Sequence, residues 1–200
     1  AFQDELQKKQ IPLADIMNSL EVFIRGEDRM RLLNAVKGYD LYIYGSKEDI
    51  PSWQKTLVGH KNIHYCDPVP FSELPELFMR AKVVVNSLPT IKKGYHERIF
   101  TAIAFGASVL GSENVMIAPW NMYSRAILPI LSPNYNKAKD LIDYALHDEK
   151  KRLDDVLVLR KIIENEHTWD NRRDFLLQEL PKIISDLKKD QKNPSTHILG

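Results

Sequence analysis

The sequence predicts an α/β fold, a parallel sheet flanked by helices with a helical extension at its carboxyl end. Three observations carry this. Short β-branched and aromatic runs alternate with segments whose apolar residues recur every three or four positions, the rhythm of βαβ units. The run Lys82-Val83-Val84-Val85-Asn86 is apolar through its centre, as in a strand covered on both faces. From Asn136 onward the periodicity is helical and charged.

Taken in order, Leu13, Ile16, Met17, Leu20, Phe23 and Ile24 form one helical face opened by Pro12, and Gly26 should break that helix. Met30, Leu32, Leu33 and Val36 form a second short helix, with Asp28 as N-cap and Gly38 as the C-terminal signal. Asp40-Leu41-Tyr42-Ile43-Tyr44-Gly45 and Asn62-Ile63-His64-Tyr65 read as strands, and the turn at Pro68 and Pro70 leads to a helix through Phe71, Leu74, Leu77 and Phe78. Ile99, Ala102, Ile103 and Phe105 define a helix closed by Gly106, and Ser108-Val109-Leu110-Gly111 follows as a strand. Ile127-Leu128-Pro129-Ile130-Leu131 reads as an edge strand, because its proline cannot donate to a ladder. Helices then run through residues 141–146, 153–163 and 175–184, with Thr168 or Asp170 capping the last of them. The tryptophans Trp53, Trp120 and Trp169 are expected to fill core or groove surfaces.

Composition narrows the function. With 200 residues, 44% hydrophobic and 28% charged, the chain can enclose a real core, which excludes a disordered segment or a small disulfide scaffold. Twenty-eight Lys and Arg against 27 Asp and Glu leave a net charge of +1, so no nucleic-acid partner is expected and any ligand must be recognised locally. Cys66 is the single cysteine, and no His, Cys or carboxylate cluster has metal-ligand spacing, so no metal site is expected. No apolar run approaches the roughly 20 residues of a transmembrane helix. With no signal-peptide pattern, the expected location is cytoplasmic. The chain starts at Ala1 rather than Met, which suggests a processed product or a piece of something longer.

In such a sheet, ligands sit beyond the carboxyl ends of the strands. The candidate loops are Gly45-Ser46-Lys47, Asp67-Pro68-Val69-Pro70, Ser87-Leu88-Pro89-Thr90 and Ser112-Glu113-Asn114. The segment Lys92-Lys93-Gly94-Tyr95-His96-Glu97-Arg98 at the start of a helix suits an anion. Glycine lets a ligand approach the backbone, the helix start offers free N–H groups, and Arg98 can fork onto phosphate oxygens. A solvated loop with a helix cap is the plain alternative for the same charges. His96 reads equally as a general base, a phosphate ligand or a polar residue of the first turn. His64 and His167 read as structural. There is no Gly-x-Gly-x-x-Gly and no P-loop lysine motif, which disfavours the common dinucleotide and P-loop enzymes and a methyltransferase.

Gly94, Arg98, Phe100, Ala102 and Gly106, followed by Val109-Leu110, resemble the Gly-x-x-x-Arg-x-Phe-x-Ala-x-x-x-Gly signature of group 1 glycosyltransferases related to the spore-maturation CgeB proteins. The segment from Asp28 to Leu33, the strand ending Tyr44-Gly45, Trp53, Tyr65 and Glu73-Leu74-Pro75 are similar to the family's upstream elements, so the likeness covers residues 28–169. It implies a Rossmann-like domain, the carboxyl-terminal half of a GT-B glycosyltransferase. The expected ligand is a nucleotide-sugar, held as donor substrate with no tightly bound cofactor. By that resemblance Arg98, the amides of Tyr95 to Glu97, and Lys93 face the diphosphate beside Gly94 and His96, with Arg25 and Arg29 as weaker candidates. Gly45 and Ser46 line the cleft, and Pro68 and Val69 meet the base. Many relatives carry a glutamate for the ribose where this chain has Thr101, and Glu97, one turn earlier, is the candidate substitute.

The expected organisation is a helical segment over residues 1–27, the donor-binding domain over 28–135, a helical extension over 136–190 packed on the same domain, and a flexible tail over 191–200. An acceptor domain is expected before Ala1, which would leave this chain able to bind nucleotide yet inactive in isolation. A non-catalytic binding or scaffold module is the competing reading, motivated by Thr101.

Overall fold

A computed structural model describes residues 12–88, 90, 91, 93–130 and 134–192, the last four without their side chains. Pro89, Lys92, Leu131 and most of the expected tail lie outside the described residues. The chain divides into two compact units, Ala1–Arg160 and Lys161–Gly200.

The first unit alternates helices and strands. They run α1 (Leu13–Ala35), β1 (Leu41–Tyr44), α2 (Ile50–Thr56), β2 (Ile63–Cys66), α3 (Leu74–Arg80), β3 (Val83–Asn86), α4 (Glu97–Ala104), β4 (Ser108–Ser112), β5 (Ile127–Ile130) and α5 (Ala138–His147). Helix α6 (Glu149–Glu166) begins in this unit, and α7 (Trp169–Lys192) belongs to the second. Strands β1 and β2 pair in parallel from Leu41 opposite Ile63 to Tyr44 opposite Cys66. Strands β3, β4 and β5 form a second parallel sheet in that order, with Asn86 opposite Gly111 and Gly111 opposite Pro129. Every residue of the central strand β4 is buried, while Pro129 stands in an edge strand as its missing N–H requires. Both sheets feed one core, in which Leu41 of β1 and Val83 and Val85 of β3 pack against Leu32, Leu110, Leu128 and Ile142. The fold is α/β and Rossmann-like, with a helical carboxyl-terminal extension.

Helix α1 corrects one expectation. Gly26 neither breaks the helix nor leaves Asp28 as an N-cap, since both lie inside α1, and Asp28 is only 5% exposed. A glycine in an exposed turn costs about 1 kcal/mol against alanine, less than the burial of Leu32, Leu33 and Val36 at the far end returns. The apolar face read at the helix start is exposed, except for half-buried Ile16. Of the tryptophans, Trp120 is buried and Trp53 half-buried, but Trp169 is 80% exposed where it opens α7. The Thr168 cap holds: the Asn171 N–H donates to Thr168 Oγ1 at 3.2 Å, and the Thr168 N–H donates to Asn171 Oδ1 at 2.8 Å. His64 lies exposed in β2, its ring stacked on Tyr42 at 4.4 Å.

Candidate functional site

The site is built on the carboxyl ends of β3 and β4 and the start of α4. Asn86, the last residue of β3, is 1% exposed, and its Oδ1 accepts a hydrogen bond from Arg98 Nη1 at 3.3 Å. Gly111 faces it across the ladder, where a Cβ would stand 3.1 Å from the Asn86 carbonyl oxygen, so glycine lets the two backbones approach. In the next loop the Leu88 N–H donates to Ser112 Oγ at 3.0 Å.

His96 is the N-cap of α4. Its Nδ1 accepts the Arg98 N–H at 3.1 Å, which places the ring proton on Nε2. Burial, and then the charge of Arg98, lower the His96 pKa from its ordinary value and favour the neutral ring that this bond needs. The His96 and Glu97 N–H groups have no hydrogen-bond partner among the described residues, as at any helix start without a further cap.

The segment before α4 is braced from the other side. The Gly94 carbonyl accepts from Asn114 Nδ2 at 3.1 Å, while Asn114 Oδ1 accepts the Met116 and Ile117 N–H groups at 2.9 and 3.1 Å. Tyr95 stacks on Trp120 at 5.0 Å, meets Phe100 edge-on at 5.2 Å and donates its hydroxyl to the Met116 carbonyl at 2.7 Å. Its side chain therefore holds the loop. Lys93 and Glu97 are exposed, and the Thr101 hydroxyl donates to the Glu97 carbonyl at 3.0 Å.

Helix α1 adds a second cation. Partial burial, and then the nearby charge of Arg29, lower the Arg98 pKa from its ordinary value, a sign that the two guanidinium groups share one region. Among the described residues no carboxylate lies within ion-pair distance of either arginine. Glu97 offsets part of this effect on Arg98 without forming an ion pair with it, and the two guanidinium groups beside unpaired helix-start amides make a locally positive region that can accept an anion. One turn earlier on α1, Arg25 pairs instead with Glu21 at 3.5 Å.

The β1–β2 edge holds the other candidates. The Gly45 N–H donates to the Cys66 carbonyl at 3.2 Å, and Ser46 Oγ donates to Asp49 Oδ2 at 3.0 Å, turning the chain into α2. Lys47 bridges to Asp67 at 3.4 Å, so this turn and the loop carrying exposed Pro68 and half-buried Val69 are tied together. Arg29 links the two edges, with its guanidinium carbon 6.0 Å from the centre of the Trp53 ring on α2.

Sequence reasoning missed the part played by Asp28, Asn86 and Asn114. Asp28 accepts a hydrogen bond from Ser87 Oγ at 2.5 Å and another from the Tyr135 hydroxyl. A polar residue at the carboxyl end of an apolar strand was the visible signal for Asn86. Among the described residues no three His, Cys, Asp or Glu side chains cluster so as to hold a metal ion, and no helix is long and apolar enough to cross a membrane.

Parallel strands flanked by helices, with the charged helix start at the strand ends, define a Rossmann-like α/β domain. A family model described as Glycosyl transferase-like matches residues 28–178, and the chain belongs to that family. No curated protein and no solved structure matches it.

Proposed function

We propose that this chain is the nucleotide-sugar-binding part of a glycosyltransferase of the two-domain GT-B type, in the CgeB-like branch of its family. The observation that carries the reading is the Arg98 guanidinium, carried by the start of α4 and held by buried Asn86 at the end of β3, with Arg29 near enough to lower its pKa. In glycosyl transfer the bond between the anomeric carbon and the diphosphate oxygen breaks with its electron pair going to oxygen. The acceptor hydroxyl forms the new bond and gives up its proton. Charge thus grows on the diphosphate, and groups already aimed there stabilise the transition state more than the ground state. Arg98, held by Asn86, and Arg29 supply two guanidinium groups, with His96 Nε2–H and the amides of His96 and Glu97 as neutral donors. Gly45 and Ser46 line the cleft, Pro68 and Val69 meet the base, and Lys93 stands at its rim. An acceptor-side domain completes the enzyme, so this chain alone binds donor and transfers sugar poorly.

Calorimetric titration with UDP, GDP, TDP and their sugar conjugates tests this. One nucleotide should bind selectively, and Arg98→Ala should weaken it by about ten-fold or more, the scale of a lost charge-assisted hydrogen bond. Thr101 favours a second reading, a non-catalytic binding module. Its hydroxyl is committed to the Glu97 carbonyl, and the position offers no carboxylate to a ribose. Failure of every nucleotide to bind would select that reading.

A further inference from the structure

Asp28 is a buried carboxylate with no place in the chemistry above. It sits inside α1, where aspartate is a poor helix former, and burying its charge is costly unless the charge is put to use. Both of its oxygens are engaged: Oδ2 accepts from Ser87 Oγ at 2.5 Å and Oδ1 from the Tyr135 hydroxyl. One side chain thereby ties together α1, the segment leaving β3 and the segment leading into α5.

The sequence neighbours of this tie are the anion site. Arg29 follows Asp28 on α1. Asn86, which holds the Arg98 guanidinium, precedes Ser87. Arg29 is therefore one residue from one end of the Asp28–Ser87 hydrogen bond, and Arg98 is hydrogen-bonded to the residue before the other end, so that bond sets where α1 carries Arg29 relative to the Arg98 guanidinium.

We infer that Asp28, through Ser87, is a positioning residue that brings Arg29 and Arg98 to a common phosphate-binding geometry. The inference rests on the donor-binding reading for its ligand. It concerns residues that touch neither phosphate nor sugar, and a plain structural staple would serve as well with an apolar contact of the same size.

The test is titration of the whole chain with inorganic pyrophosphate, and with whichever nucleoside diphosphate binds best, well below the melting temperature of each variant. Ser87→Ala should weaken pyrophosphate by about five-fold and Asp28→Asn by about ten-fold. The discriminating measurement is a double-mutant cycle with Arg98→Lys, which keeps a cation for the phosphate and loses the fork onto Asn86. Because Ser87 acts on Arg98 through Asn86 and on Arg29 through Asp28, Ser87→Ala should weaken binding less in the Arg98→Lys background than in the wild type, the remaining loss coming from Arg29. Equal losses in both backgrounds, or no loss from Ser87→Ala in either, overturn the positioning role, whatever happens to thermal stability. Ser87 is half-buried, so its variant keeps the test readable if Asp28→Asn fails to fold. If the wild-type chain binds neither pyrophosphate nor any nucleoside diphosphate, both readings fall. If it binds and Arg98→Ala weakens it while Ser87→Ala and Asp28→Asn do not, this inference alone falls.

Discussion

His96 holds the start of α4 through one nitrogen, its Nδ1. As N-cap of α4 it must stay neutral, because a protonated ring has no lone pair for the Arg98 N–H and adds a positive charge beside Arg98. Its folded pKa is lowered, so the folded protein resists a proton that the unfolded chain takes up near the ordinary value of about 6.5. Stability from this group is therefore present above about pH 6.5 and is lost as pH falls toward the lower folded value. Burial lowers His60 and His167 in the same direction, so acid destabilisation should exceed what His96 alone supplies. His96→Asn keeps a capping acceptor that does not titrate. Its melting temperature should fall less than the wild type's between pH 7 and 5, by about 2–4 °C, the equivalent of one helix cap in a chain of this size. Parallel melting curves for the two proteins across that range would show that the cap is not the titrating contact.

Among the elements, β3, α4 and β4 were legible because their signals are local: a valine run, a helical repeat closed by Gly106, and a second apolar run. Gly106 takes φ of 96°, the left-handed conformation that a glycine helix end provides. The continuity of α1 was not legible, because the cost of Gly26 is written in the sequence while burial at Leu32 and Leu33 comes from elements far along the chain. Asp28 misled for the same reason, since its partner Tyr135 lies 107 positions away. Thr101 could be read as a departure in residue type, but its bond to the Glu97 carbonyl needed coordinates. Arg152 on α6 was another unread element contact. It is buried, and its Nη1 donates to the Gly106 carbonyl at 2.9 Å and the Lys82 carbonyl at 3.2 Å, tying α6 to the end of α4 and the approach to β3. Arg152→Ala leaves two carbonyls without this donor and should cost about 2 kcal/mol in urea unfolding. Glu149 lies 3.7 Å from Arg152 but is exposed, so Glu149→Gln should cost under about 0.5 kcal/mol. Comparable losses from the two variants would mean that the ion pair, rather than the carbonyl contacts, anchors α6.

At the scale of the molecule, a net charge of +1 sets up no global field to draw in an anion. What the chain does carry widely is exposed apolar surface. On α7, Leu176, Leu180, Ile183 and Leu187 recur at spacings of four, three and four, each between 45% and 57% exposed. On the first turns of α1, Leu13, Met17, Leu20 and Ile24 repeat the same spacing and are exposed to a similar degree. Such stripes have the period of a packed helix face, and their exposure is unusual for scattered surface residues. They make a physical property measurable without knowing any ligand: the native chain should bind an apolar dye such as anilinonaphthalene sulfonate at 25 °C, far below its melting transition. Replacing Leu180 and Ile183 by glutamate should remove about half of that fluorescence. Because both side chains are exposed, the melting temperature should stay within about 2 °C, as surface substitutions generally allow. A native chain that leaves the dye dark would mean that the stripes are covered in solution. A large fall in melting temperature on substitution would mean that the α7 stripe is core.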